Sequence, residues 1–181
     1  IENYTRALFS GINVPVSTML FNSLVMAVGI AVGKIAISLL SAFAIVYFRF
    51  PGRNVFFWMI FITLMLPVEV RIVPTYTVVA GFGMLNSYWA MIIPYTAGGL
   101  AFAIFILKGF FDGLPEDLFE AARIDGAGHF QSYRHIVLPL SKPILSVVLI
   151  MNLLGTWNEF MWPFIVNSEG KYHVIASALY V

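Results

Sequence analysis

The sequence predicts an all-α protein that crosses a membrane several times, and three observations lead to this fold class. Hydrophobic residues make up 60% of the 181 residues, and the mean hydropathy is +0.90. Only 10% of the residues are Asp, Glu, Lys or Arg, against roughly 25% in an average soluble domain. Long charge-free runs separate those few charges. A soluble domain cannot bury so much apolar surface, so a polytopic membrane protein remains.

Charge and composition also exclude several classes of function. The net charge of +1 supplies no polybasic surface, so nucleic acid is not an expected partner. The absence of cysteine excludes disulfides, thiolate metal sites and a cysteine nucleophile. His129 and His135 lie off one helical face, and no acidic cluster of ligand spacing accompanies them, so no metal site is expected. No nucleophile–base–acid set stands out, so we predict a non-catalytic subunit without a cofactor.

Four segments are predicted to span the membrane, because a crossing helix needs about 20 apolar residues. They cover residues 18–48, 54–73, 87–109 and 142–166. The first segment exceeds the membrane thickness and must tilt or protrude. Lys34 lies near its middle, where it either snorkels or packs at a helix interface, or else belongs to a transport path.

The placement of basic residues predicts the orientation of these segments. Three basic residues at most, Arg6, Arg71 and Lys171, fall on one side of the membrane. The opposite side is therefore expected to be cytoplasmic, and it carries Arg49, Arg53, Lys108, Arg123, Arg134 and Lys142.

One polar stretch is longer than a plain connection between membrane helices requires. Residues 108–142 hold five acidic and four basic side chains, nearly half of all charges. Pro115 at a first helical position, followed by two acidic residues, predicts a short helix that ends at Asp125–Gly126. A second short helix is predicted over about 128–136. Such a helix-turn-helix suits docking to a cytoplasmic partner, or a hairpin that lies on lipid headgroups.

Within this stretch the residues match a specific pattern: Glu-Ala-Ala, three residues, Gly, nine residues, Ile, any residue, Leu, Pro. Glu120-Ala121-Ala122, Gly126 and Ile136-Val137-Leu138-Pro139 fill every fixed position. The chain thereby resembles permease subunits of ATP-binding-cassette importers, in which this is the EAA motif. We call residues 110–141 the EAA segment. The residues that the resemblance assigns to coupling with an ATPase are Glu120, Ala121, Ala122, Asp125, Gly126, Ile136, Leu138 and Pro139.

The flanking sequence resembles the carbohydrate-uptake branch of the family, through LPVEVRIVPTY at 66–76 and WNEFMWP at 157–163. Residues 22–78 are most similar to membrane subunits of bacterial sn-glycerol-3-phosphate importers. The resemblance implies a type I importer (MetI-like) fold in a bacterial inner membrane, with the EAA segment cytoplasmic. Such permeases usually have six spans, of which this chain would hold the second to fifth. Its start at Ile1, without an initiator methionine or signal peptide, agrees with an internal segment.

The chain carries no GxxxxGK[ST] phosphate loop and so cannot hydrolyse ATP itself. The resemblance implies that partner subunits supply this activity. The expected partners are two cytoplasmic ATP-binding subunits, a second permease subunit, an extracytoplasmic solute-binding protein and membrane lipid. Import of a neutral di- or oligosaccharide is the alternative to import of sn-glycerol-3-phosphate. A self-standing channel or secondary transporter is the alternative class, and it would need ionisable relays inside the spans rather than a docking segment.

Four polar residues near the predicted outer ends of spans are candidates for the solute pathway: Glu69, Arg71, Asn158 and Glu159. Charges inside a membrane usually mark a pathway or a paired interface. Arg71 would attract a phosphate-bearing solute. For each pair the alternative is an ordinary position at the membrane surface.

Overall fold

The computed structural model describes residues 2–9 and 14–180, and over these residues the regular structure is helical, with no strand. Short 3-10 turns cover Thr63–Met65, Gly170–Tyr172 and Ile175–Tyr180, and a π-helical turn covers Tyr133–Val137. Helices α1 to α10 are, in chain order, Glu2–Phe9, Val16–Tyr47, Arg53–Ile62, Val68–Gly81, Tyr88–Asp112, Glu116–Ile124, His129–Ser132, Leu138–Leu140, Lys142–Trp157 and Met161–Val166.

Two helices are long and apolar enough to cross a membrane unaided, α2 with 32 residues and α5 with 25. They occupy the first and third predicted segments. Two further spans are counted if each bent pair of helical runs forms one crossing: Arg53–Met65 with Val68–Gly81, and His129–Leu140 with Lys142–Trp157. The described residues therefore contain two to four candidate spans, by length and composition.

The second predicted segment, 54–73, is not one straight helix. The helical run stops at Met65 and resumes at Val68, because Pro67 adopts an extended conformation (φ −54°, ψ 143°) and its ring disfavours helix at the preceding residue. Pro74 lies within α4, which continues through it to Gly81. Only one of the two prolines therefore ends a helix.

The last predicted segment, 142–166, is also interrupted. Helix α9 ends at Trp157, and α10 begins at Met161. The amide of Glu159 donates to the Thr156 carbonyl at 3.1 Å, which forms a turn. The Glu159 carboxylate then accepts the Trp162 amide at 3.2 Å and so satisfies a free donor in the first turn of α10.

The chain divides into two compact units, and the first comprises residues 1–33, 66–98 and 151–181. Helices α2 and α5 approach closely in this unit, because a β-carbon on Gly29 would lie 2.9 Å from Ile92 Cδ1 and one on Gly33 would lie 3.1 Å from Thr96 Cγ2. Its core contains the buried side chains of Met26, Ile30, Val79, Met91, Trp162, Val166 and Val174.

The second unit comprises residues 34–65 and 99–150, and so includes the whole EAA segment. Lys34 is buried here, and its side chain covers Gly99 on α5 so closely that a β-carbon there would overlap Cε and Nζ of the lysine. Of the positions that the sequence left open for Lys34, the structure shows the packed helix interface. The core of this unit is made by Leu39, Ala42, Phe43, Leu107, Phe111, Phe119 and Val137.

Candidate functional site

The EAA segment begins with α6, whose start follows from Pro115 and the acidic residues after it. Pro115 is extended and stands at the N-cap, one residue earlier than expected, so that Glu116 and Asp117 lie in the first helical turn. Their carboxylates face the unpaired amides and the positive end of the helix dipole. The sequence is thereby suited to start a helix at this point without a side-chain cap.

The turn after α6 is a Schellman motif, and Gly126 is the residue that permits it. Gly126 has φ +79°, a left-handed conformation that side chains with a β-carbon disfavour. The Gly126 amide donates to the Arg123 carbonyl at 3.0 Å, and the Ala127 amide donates to the Ala122 carbonyl at 2.8 Å. The glycine of the EAA pattern therefore ends the first helix as the sequence predicted.

The second half of the segment is longer than predicted and is not a plain α-helix. Helical structure begins at His129, after the Gly128 amide donates to Gln131 Oε1 at 2.9 Å. It passes through the π-helical turn and continues to Leu140 rather than stopping near 136. Pro139 does not end this run, because the π turn precedes it and proline is tolerated at the first positions of a helix. The direction then changes by 69° before α9.

One side of the EAA segment is fixed to α2 by aromatic packing. The ring centroids of Tyr47 and Phe119 lie 4.5 Å apart, and those of Phe43 and Tyr133 lie 5.0 Å apart. The Tyr47 hydroxyl donates to the Phe111 carbonyl at 3.3 Å. Burial raises the pKa of Tyr133, so this hydroxyl remains neutral in the packed layer. Both short helices are therefore held to the end of α2.

The opposite side of the segment is exposed and contains most of the EAA motif. Ala122, Asp125, Gly126 and Ile136 line a groove of about 330 Å³ between the two short helices. Glu120 and Ala121 are exposed beside it, Leu138 is half-buried, and Pro139 is exposed. Two large apolar side chains of this segment are also exposed, Ile124 with 87% and Phe130 with 72% of its surface accessible. The segment thus presents a groove with an apolar and acidic rim.

Of the four pathway candidates, Arg71 and Glu159 are placed against residues of α5. Arg71 on α4 lies against α5, with Nη1 3.8 Å from the place of a β-carbon on Gly98, and its buried Nε has no hydrogen-bond partner among the residues that the structure describes. Glu159 accepts the Tyr95 hydroxyl at 2.9 Å. Glu69 is exposed, and the Asn158 side-chain amide donates to the Leu154 carbonyl in the last turn of α9, just before it.

Tyr95 and Gly98 are three residues apart on α5 and so share a helical face. The structure therefore brings Arg71 and the Tyr95–Glu159 pair to one side of this helix. Sequence reasoning missed Tyr95, because a tyrosine in an apolar run carries no local signal of a carboxylate partner 64 residues away. Within the described residues no group of three or more His, Cys, Asp and Glu side chains is placed to hold a metal ion.

The sequence matches a known family over most of its length. Residues 34–179 match the family model described as binding-protein-dependent transport system inner membrane component. The chain is 48% identical to a Brucella abortus protein named sn-glycerol-3-phosphate transport system permease protein UgpE, over 99% of this chain and 64% of that protein. It is 53% identical to the Yersinia enterocolitica protein of the same name, over 87% of this chain and 55% of that protein. The chain thus spans less than two thirds of these relatives.

The fold also matches a solved structure, that of a bacterial ABC transporter involved in the import of the acidic polysaccharide alginate. The TM-score is 0.81 at 22% sequence identity, and the match covers 97% of this chain and 60% of that one. Similarity at this level of identity concerns the fold, and it confirms the MetI-like helical arrangement expected from the sequence.

Proposed function

This chain belongs to the family of inner-membrane components of binding-protein-dependent transport systems, and on that premise we propose that it forms half of the translocation path of an ATP-driven importer. Its EAA segment couples the path to ATP hydrolysis in a separate cytoplasmic subunit. The observation that carries the proposal is the groove in which Ala122, Asp125, Gly126 and Ile136 meet although up to 14 positions separate them in sequence. A segment with only a structural role has no need of this arrangement.

The exposed side of the EAA segment suits a protein partner. Ile124 and Phe130 would each leave a large apolar surface in water unless another molecule covers it. Ala121 and Ala122 allow close approach, and Glu120 and Asp125 supply charges at the rim. The aromatic packing of Phe119 and Tyr133 on α2 transmits a displacement of the segment to the membrane helix, as a rigid-body switch requires.

The assembly proposed for this chain follows from that role. Two ATP-binding subunits dock on the cytoplasmic side, one on this segment and one on a second permease subunit. An extracytoplasmic binding protein delivers solute. The EAA segment faces the cytoplasm, because the basic residues of the chain are concentrated on its side of the predicted spans.

We propose sn-glycerol-3-phosphate as the solute, which is the solute that the names of the relatives give for those proteins. Arg71 supports the assignment, because a guanidinium group binds a phosphate through paired hydrogen bonds and its Nε has no partner within the part of the chain that the structure describes. A neutral saccharide would leave this cation without a counter-charge.

The test uses the full-length protein reconstituted with its ATP-binding subunits, second permease and binding protein. We expect sn-glycerol-3-phosphate to stimulate ATP hydrolysis and maltose to have no effect. Stimulation by maltose alone would keep the coupling mechanism and overturn the phosphate assignment together with the role of Arg71.

Coupling is tested in the same preparation with Gly126→Asp and Ile124→Ser. The first forces a β-carbon into a left-handed backbone, and the second removes apolar contact area worth about a tenfold change in affinity. Both are expected to abolish most solute-stimulated hydrolysis while membrane insertion is retained. Phe82→Ser, at a residue 76% exposed outside the segment, is the matched control. Normal coupling in both variants would refute the proposed role of the EAA segment.

A further inference from the structure

A cavity of about 280 Å³ in the second unit combines arginine side chains with apolar ones. It lies where α2 ends, α3 begins and α6 packs, and none of its lining residues lines the EAA groove. Three guanidinium groups line it, those of Arg49, Arg53 and Arg123. The apolar part of the lining is formed by Val46, Phe111, Leu114 and Phe119.

The charges that line this cavity do not cancel. Asp112 also lines it, but its carboxylate is held by Lys108 in an ion pair of 2.5 Å between Nζ and Oδ2. Among the side chains that the structure describes, no ion pair joins an arginine of the cavity to a carboxylate. Arg53 donates to the Val46 carbonyl at 3.5 Å. Besides Asp112, the other carboxylate that lines the cavity is that of Glu116. Three cations thus face one unpaired anion.

The cavity also lies at the depth where lipid phosphates are expected. Arg49 directly follows the first predicted span, and Arg53 directly precedes the second. Apolar side chains next to these arginines point outward, including Phe48, Val55 and Phe56, of which 41%, 62% and 53% of the surface is exposed. Basic pockets between membrane helices at the cytoplasmic surface are suited to anionic headgroups.

From these observations we infer that the cavity binds the phosphate of an anionic phospholipid, with Arg49, Arg53 and Arg123 as donors. The acyl chains extend along the exposed apolar face of α3, which a free anion would leave unused. Since Arg123 belongs to the EAA segment and Arg49 and Arg53 flank the α2–α3 turn, a bound lipid ties this segment to the membrane surface. The inference requires the membrane embedding of the chain and is independent of the solute.

The test measures lipid binding to the purified full-length protein by native mass spectrometry, with phosphatidylglycerol and phosphatidylcholine titrated separately. We expect phosphatidylglycerol to bind preferentially. Arg123→Gln and Arg49→Gln should each weaken its binding about fivefold, the effect of one basic residue near an anionic surface. Both side chains are exposed, so folding is retained. Arg134→Gln removes the same charge from an exposed position of the EAA segment outside the cavity and should leave binding unchanged.

Three results would each overturn the inference. Equal binding of phosphatidylcholine would remove the preference for an anionic headgroup. Displacement of the lipid by millimolar inorganic phosphate would identify the site as one for a free anion. A loss in Arg134→Gln as large as that in Arg123→Gln would show a diffuse attraction of the basic surface rather than a site.

Discussion

At the scale of single residues, Lys34 shows how a charged side chain is accommodated in an apolar helix. Its side chain lies over Gly99 on α5, and only 5% of its surface is exposed. A β-carbon at position 99 would occupy the space that the end of the lysine fills, so the lysine would have to move. The four-carbon stem of Lys34 thereby acts as packing material between two helices.

We expect Gly99→Val to destabilise the protein by about 1–3 kcal/mol, because it overpacks this contact. The measurement is the thermal unfolding midpoint of the purified protein in detergent. Gly109→Val on the same helix is the control, since no atom lies within 4 Å of its β-carbon position, and it should be nearly neutral. Removal of the lysine stem in Gly99→Val/Lys34→Ala should restore part of the loss. Additive effects of the two substitutions would contradict the proposed overlap.

At the scale of elements, Asn22 connects α2 to the segment after α10. Its side-chain amide donates to the carbonyls of Lys171 at 2.9 Å and His173 at 2.8 Å. Its oxygen accepts the Tyr88 hydroxyl at 2.6 Å from the start of α5. Asn22 is 1% exposed, so these bonds replace those that water would make. One side chain thus holds three parts of the first unit together.

Substitution Asn22→Leu should cost about 1–3 kcal/mol for each buried group left without a partner. We expect a lower unfolding midpoint and faster proteolysis in the stretch around residues 168–175, which loses its attachment to α2. Asn158→Leu is the matched control for stability, because its side-chain amide donates to the carbonyl of Leu154, four residues earlier in the chain. If Asn22→Leu were no less stable than the control, these hydrogen bonds would not hold the segment.

At the scale of the whole molecule, the orientation predicted from Lys and Arg placement can be tested by labelling introduced cysteines. Residues 1–181 contain no cysteine, so each introduced thiol is the only one within this sequence. Gln131 and Glu169 are both exposed, and the charge rule places them on opposite sides of the membrane.

We expect a membrane-impermeant maleimide to label Glu169→Cys in intact spheroplasts. Gln131→Cys should react only after permeabilisation, because the EAA segment faces the cytoplasm. Labelling is measured by the mass shift of the purified chain. Reaction of Gln131→Cys from the outside would reverse the orientation and would also refute docking of a cytoplasmic ATPase on this segment.

The sequence by itself determined the helical membrane class, the family and the start and end of the first EAA helix. These features depend on composition and on local conformational preferences, such as the left-handed backbone at Gly126 and the acidic first turn after Pro115. Because such preferences act within a few residues, they can be identified from the chain alone. The family followed from a pattern whose fixed positions are all present.

Only the tertiary structure decided which helices break and which distant side chains meet. Pro67 ends a helix while Pro74 does not, and the preferences of proline do not distinguish the two. The burial of Lys34 on Gly99, the Tyr95–Glu159 hydrogen bond and the three arginines of one cavity join residues far apart in sequence. Such contacts depend on how helices pack, and packing is a property of the assembled side chains rather than of any local run.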